Sequence, residues 1–93
     1  MAAVREAELM VVDFELRIRR MTIDEAMPRL DYYLNAAFMA GLPWVRIVHG
    51  KGTGVLRRTV HETLAEHPLV KSFRLGDWGE GGIGVTIVEL ANH

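Results

Sequence analysis

The chain reads as a two-layer α/β sandwich of order β-α-β-α-β-β, with a four-stranded mixed sheet and two helices on one face. Three observations predict this. Residues 10–18 alternate apolar and polar, so a first strand is covered on one side only. Two stretches, 23–40 and from Val55 up to Pro68, repeat apolar residues at helical spacing and carry start and stop signals. Two later β-rich runs flank a glycine-rich connection, as an antiparallel hairpin would. Four strands and two helices pack most economically with both helices on one face, leaving the polar side of the first strand in water. Crossovers between parallel strands should be right-handed.

In the first strand Val12, Phe14, Leu16 and Ile18 share one face, and Asp13, Glu15 and Arg17 the other. Residues 1–13 read as a linker or short N-terminal extension, and 14–93 as the domain. Thr22 followed by Glu25 is a capping box that opens the first helix. Ile23, Ala26, Met27, Leu30, Leu34, Ala37 and Phe38 form its buried stripe. Pro28 removes one internal hydrogen bond, so a slight bend is expected there but no break. Gly41 stops the helix and Pro43 follows it.

Residues 44–48 form a short apolar strand, as an interior parallel strand would be. It runs into His49-Gly50-Lys51-Gly52-Thr53-Gly54. Thr53 is expected to N-cap the second helix, whose stripe is Leu56, Val60 and Leu64, with Val55 and Thr63 at its margin. Pro68 ends it. In the third strand, 69–75, Leu69, Lys71, Phe73 and Leu75 are expected on one side. Residues 76–82 make a long glycine loop, and 83–90 a β-branched fourth strand.

Composition narrows the function classes. Ninety-three residues, 49% apolar and 25% charged, make one ordinary globular domain. There is no cysteine, which excludes disulfides and thiolate metal sites. No apolar run has the length of a membrane span, and the first residues lack the apolar core of a signal peptide. A cytoplasmic location is the expectation. The net charge is −1, so bulk charge does not announce a nucleic-acid binder. Its distribution says more. Arg46, Lys51, Arg57 and Arg58 fall in a stretch without acids, and Arg17, Arg19 and Arg20 form a second basic knot.

A glycine-rich turn between strand and helix aims backbone N–H groups and a helix dipole at whatever lies above it, and phosphate is the usual guest. The order of residues matches neither a P-loop nor a dinucleotide fingerprint. His49 is the one well-placed acid/base; it serves chemistry, or it hydrogen-bonds and organises the loop. Lys51 meets a phosphate oxygen or stands as a solvated tip. Gly50, Gly52 and Gly54 admit a close ligand or permit a tight turn. Arg57 and Arg58 oppose the helix dipole, a small argument for function. His61, His67 and His93 lack metal-ligand spacing. Trp78 either stacks on a base or folds back onto the core, the latter being slightly favoured. Tyr32, Tyr33 and Trp44 read as packing residues. No Ser-His-Asp arrangement and no carboxylate pair is evident.

These motifs resemble the small MutS-related (Smr) domain, in the version found at the C-terminus of bacterial type-two MutS proteins. The resemblance rests on residues 21–26, 40–43, 67–70 and 81–90 and on the H-G-x-G-T-G loop, 49–54. It implies a fold similar to the C-terminal domain of translation initiation factor three. It also implies DNA or structured RNA as partner, the ribosome included, and in many members endonuclease or nicking activity. The parent would be a larger ATP-binding chain, acting in recombination suppression or in the quality control of stalled ribosomes. A divalent cation for cleavage is left open. The catalytic residues implied are His49 and Arg19, with Gly50, Lys51, Gly52, Thr53, Gly54, Arg17, Arg20, Arg57 and Arg58 holding phosphate.

One motif departs. The family's L-D-x-[RH]-G aligns without gaps to Leu16-Arg17-Ile18-Arg19-Arg20, so Arg17 replaces the acid and Arg20 the glycine. Loss of an acid that orients the histidine, a metal or a water bears on cleavage. The added cations favour phosphate. A nicking endonuclease and a catalytically weakened binding module that only positions its parent are therefore both carried forward.

Overall fold

The structure is a computed structural model that describes residues 12–92. Residues 1–11, which hold most of the expected 1–13 extension and the expected strand residues Met10 and Val11, and His93 lie outside these. The elements are β1 (Glu15–Arg17), α1 (Ile23–Met39), β2 (Trp44–Val48), α2 (Val55–Glu66), β3 (Val70–Leu75) and β4 (Val85–Leu90). The sheet order is β1-β2-β4-β3. β1 pairs parallel with β2, which requires the α1 crossover, and β4 runs antiparallel to both β2 and β3. Among the described residues no helix is long and apolar enough to cross a membrane.

Both helices share one core with the sheet. Ala26, Leu30, Tyr33, Leu34 and Ala37 of α1 and Val60 and Leu64 of α2 pack with Ile18, Val45, Ile47, Val88 and Leu90. The opposite face is open and charged: Glu15 pairs with Arg17, and Lys71 with Glu89. Val12 also packs on the core, and the Tyr33 hydroxyl donates to the Asp13 carbonyl, so ordered contacts begin before residue 14.

The start of α1 is the expected capping box. Thr22 Oγ1 accepts from the Glu25 amide at 3.2 Å, and the Glu25 carboxylate accepts from the Thr22 amide at 3.0 Å. Its end is a Schellman motif: Gly41, at φ +78°, donates to Phe38, and Leu42 donates to Ala37. The helix runs unbroken through Pro28.

Four expectations are corrected. Among the described residues of the expected 10–18 strand, regular pairing covers Glu15–Arg17, where β1 lies beside the five-residue β2. Thr53 does not cap α2; Gly54 holds the N-cap position at φ +85°, and the Thr53 hydroxyl makes only a 3.4 Å contact to the Val55 amide. In β3 a bulge at Lys71 interrupts the alternation, so Val70 and Phe73 are the residues that face the core while Lys71 and Leu75 are exposed. Residues 78–84 form two short 3-10 turns, which delays β4 to Val85.

Two packing expectations also change. Tyr32 is exposed on α1, and Trp44 is partly exposed and tilts against Phe14 at 4.9 Å. Tyr33 alone of the three is buried.

Candidate nucleic-acid interface

The junction of β2 with β4 builds the site. Their pairing places Val85 opposite Val48, so the end of β2 meets the start of β4. The Gly84 carbonyl accepts from both the His49 and Gly50 amides, at 3.1 and 2.9 Å. Gly50 has φ +84°, and a Cβ there would press on Arg19 Cβ at 3.4 Å. A Cβ on Gly84 would lie 3.3 Å from Lys51 Cγ and 3.5 Å from the Gly50 carbonyl carbon. The glycines thus serve close approach between two loops as well as turning.

Around this junction, on the open face of the sheet, lies a cleft of about 450 Å³ lined by Arg17, Arg19, Arg46, Lys51 and the backbones of Gly50, Gly52, Gly81 and Gly84. The structure therefore unites Arg17, Arg19, Gly50, Lys51 and Gly52. It separates Thr53, Gly54, Arg57 and Arg58, which line a second cleft beside His61 on the α2 side. Arg57 folds back over Gly54, its guanidinium 2.9 Å from where a Cβ would stand. Arg20 is exposed and lines neither cleft. Its φ of +69° is left-handed, the conformation that suits the glycine of the family motif, which supports the gapless register.

His49 is only 4% exposed, and both ring nitrogens are engaged. Nδ1 lies 3.1 Å from the Gly50 carbonyl, and Nε2 lies 2.8 Å from Thr86 Oγ1. His61 Nε2 reaches the same Thr86 oxygen at 2.7 Å. The donors follow by elimination. A carbonyl only accepts, so Nδ1 of neutral His49 carries the proton and its Nε2 accepts from the Thr86 hydroxyl. The Thr86 oxygen then accepts from the His61 Nε2–H. Burial pushes the His49 imidazole below its ordinary value; the Gly50 bond opposes this, while His61 and Arg57 reinforce it. Burial, then Arg57, pushes His61 down as well. A neutral pair is the consistent state.

Glu15 is the acid of this region. Its carboxylate accepts from Arg17 Nε at 2.7 Å and lies 3.3 Å from Arg46 Nε, an ion pair without hydrogen-bond alignment. A divalent cation does not fit these donors: the cleft presents guanidinium and ammonium groups, and Glu15 is already shared between two arginines. Among the described residues no three His, Asp or Glu side chains converge on one point.

Arg46, His61, Thr86, Gly81 and Gly84 were missing from the set of site residues that the sequence suggests. Arg46 had a signal, since it alternates outward between buried Val45 and Ile47. Thr86 had a weaker one, a polar residue on the buried register of Val88 and Leu90. His61 had none, because its partner depends on how α2 lies on the sheet.

The Smr domain model matches residues 16–91. The chain is 56% identical over 79 residues to the protein named Endonuclease MutS2 of Thermomicrobium roseum, covering 85% of this chain and 10% of that protein. It is 50% identical over 88 residues to Endonuclease MutS2 of Clostridium tetani, covering 92% and 11%. It thus spans about a tenth of the length of these curated relatives. Among solved structures, the Smr domain of Thermus thermophilus MutS2 superposes with a TM-score of 0.81 at 43% identity, covering 83% of this chain and 96% of that one. YdaL, a stand-alone small MutS-related protein from Escherichia coli, gives 0.80 at 26% identity, covering 84% and 64%. The chain belongs to the Smr domain family, in the form carried by MutS2 proteins.

Proposed function

We propose that this chain is the nucleic-acid-binding endonuclease domain of a larger, ATP-binding MutS2-like protein, acting in the cytoplasm. Residues 14–93 are its folding unit and 1–13 the link, whose last two residues, Val12 and Asp13, already contact that unit. The observation that carries the reading is the cleft on the open sheet face, where Arg17, Arg19, Arg46 and Lys51 surround the backbone of the glycine loop. Clustered cations beside a close-approaching glycine backbone suit a phosphodiester and its developing charge. The curated relatives' name, endonuclease, supports the reaction class.

In this reading Arg19, Lys51 and the loop amides hold the phosphate. Water attacks phosphorus, the P–O bond to the leaving oxygen breaks, and His49 removes the water's proton or supplies one to that oxygen. The imidazole is buried against Thr86 and lines neither cleft, so this step requires His49 to turn toward the phosphate. The substrate is branched DNA in recombination suppression, or RNA of stalled ribosomes. Nicking of a four-way junction against cleavage of structured RNA separates these.

Supercoiled plasmid provides the main test. Nicking that disappears in His49→Ala supports the proposal. Binding without nicking supports the second reading, a weakened module that positions its parent. Two observations favour that reading: His49 has both nitrogens engaged, and Arg17 stands where the family has an acid. Arg17→Asp decides how much the departure matters, because activity appearing only in that variant makes Arg17 the cause of the loss.

A further inference from the structure

Trp78 is 99% exposed. Expected to fold back onto the core, it instead opens the first 3-10 turn between β3 and β4. An indole wholly in water gains nothing from burial, so its placement needs a reason in the surrounding structure. The turn that carries it is held on every side. The Asp77 amide donates to Glu80 Oε1 at 2.8 Å, closing a capping box. The Glu80 carboxylate takes a two-pronged bond from Arg74, at 2.7 and 3.0 Å. The Glu80 and Gly82 amides both donate to the Asp77 carbonyl. These bonds, Arg74 foremost, pull the Glu80 carboxyl down to about 2, so the clamp persists across the neutral range.

The turn also has a definite neighbour. Gly81 lines the cationic cleft, and a Cβ on it would come within 3.5 Å of the Arg46 guanidinium. Three residues of chain cover at most about 11 Å, which bounds the distance from Trp78 to the cleft wall. Asp77 and Glu80 would repel a phosphate, but both face Arg74. The phosphate-holding charge is thereby left at the Arg46 and Lys51 end, and the flat apolar surface at the Trp78 end. A nucleotide has this same division, an anionic phosphate and an apolar base face a short step away.

We propose that Trp78 is a stacking platform for an unpaired nucleobase whose neighbouring phosphate lies in the Arg17–Arg19–Arg46–Lys51 cleft. The domain then prefers strands with unstacked bases to continuous duplex. This rests on the phosphate reading of the cleft and adds the substrate feature that the cleft alone cannot select. In duplex the base faces are covered by their neighbours, so the platform gains nothing there. Base–aromatic stacking is tolerant of sequence. The ligand is therefore single-stranded segments in general, whether in DNA or RNA.

The test uses the full chain with Trp44→Phe, which leaves Trp78 as its one tryptophan. The probes are oligo-dT, oligo-U and a blunt duplex of dA and dT, each at fixed salt. Quenching of Trp78 by the single strands and not by the duplex is expected. Trp78→Ala should weaken single-strand binding about tenfold and leave duplex binding unchanged. Equal effects on oligo-dT and oligo-U mean the platform ignores the sugar; an effect on one alone assigns it to DNA or to RNA. Unaltered Trp78 emission at saturating oligo-dT and oligo-U, or unaltered affinity of Trp78→Ala for both, overturns the proposal. Lys51→Ala keeps the two readings apart. If it weakens every probe while Trp78→Ala weakens none, stacking fails and the cleft stands. If Trp78→Ala weakens single strands while Lys51→Ala weakens nothing, the cleft reading fails and stacking stands.

Discussion

Arg20 sits at φ +69°, a conformation that costs a residue with a Cβ about 1 kcal/mol or more. Replacement by glycine removes that cost, partly offset by the greater freedom of unfolded glycine. Arg20→Gly should raise stability by roughly 0.5–1 kcal/mol, read as a higher urea midpoint at unchanged slope. An unchanged or lower midpoint would contradict the left-handed assignment. The sequence showed that the family glycine was missing; the backbone angle showed what its absence does locally. His49 and His61 carry a second consequence at this scale. Both are held below their ordinary range by burial, so the unfolded chain binds protons more readily. Their contribution is fully present above the unfolded value of about 6.5 and is lost as pH falls below it toward the folded values. The urea midpoint of the parent should therefore drop between pH 7 and pH 5. His61→Gln, whose amide can still donate to Thr86, should flatten that drop; an equally steep profile would show that other groups cause it. The position of His49 at a strand end was legible from its neighbours. Its burial was not, since Thr86 lies 37 residues from His49 and 25 from His61 along the chain.

At the scale of elements, local signals sufficed where hydrogen bonds are local. The Thr22–Glu25 box and the Gly41 stop bracket α1 because each closes bonds within a few residues. They failed at α2 and β3, where distant contacts decide. The loop docks on Gly84 through the His49 and Gly50 amides and then turns through left-handed Gly54, which takes the cap position in place of Thr53. The Lys71 bulge answers to the register with β4. Two substitutions separate these kinds of element. Thr22→Ala should lower stability by about 1 kcal/mol and leave nucleic-acid affinity unchanged, because the cap lines no part of the cleft. Gly84→Ala puts a methyl 3.3 Å from Lys51 Cγ and in ordinary contact with Gly50, so it should cost about 1 kcal/mol or less but, by shifting Lys51, should weaken binding. Denaturation and fluorescence titration on the same samples check both. A Gly84→Ala protein with normal affinity would show that the glycine loop does not depend on this packing.

At the scale of the whole molecule, alternation and helical stripes made the two-layer architecture legible, whereas strand order was not written in any segment. Insertion of β4 between β2 and β3 is a long-range pairing, and it alone brings Gly81 and Gly84 to the loop after β2. The same pairing turns scattered cations into a patch on a chain of net charge −1. Arg17, Arg46 and Lys51 come from separate elements and converge on the open face, while Arg29 stays exposed on α1 and lines neither cationic cleft. A localised patch and a diffuse charge predict different salt behaviour. Removing a cation that neutralises one phosphate should reduce the slope of log affinity against log salt by about 1. Arg46→Ala should therefore weaken single-strand binding and flatten that slope by about 1, and Arg29→Ala should do neither. Equal effects of the two substitutions would mean that the charges act as a diffuse field, and the open sheet face would lose its claim to be the binding surface.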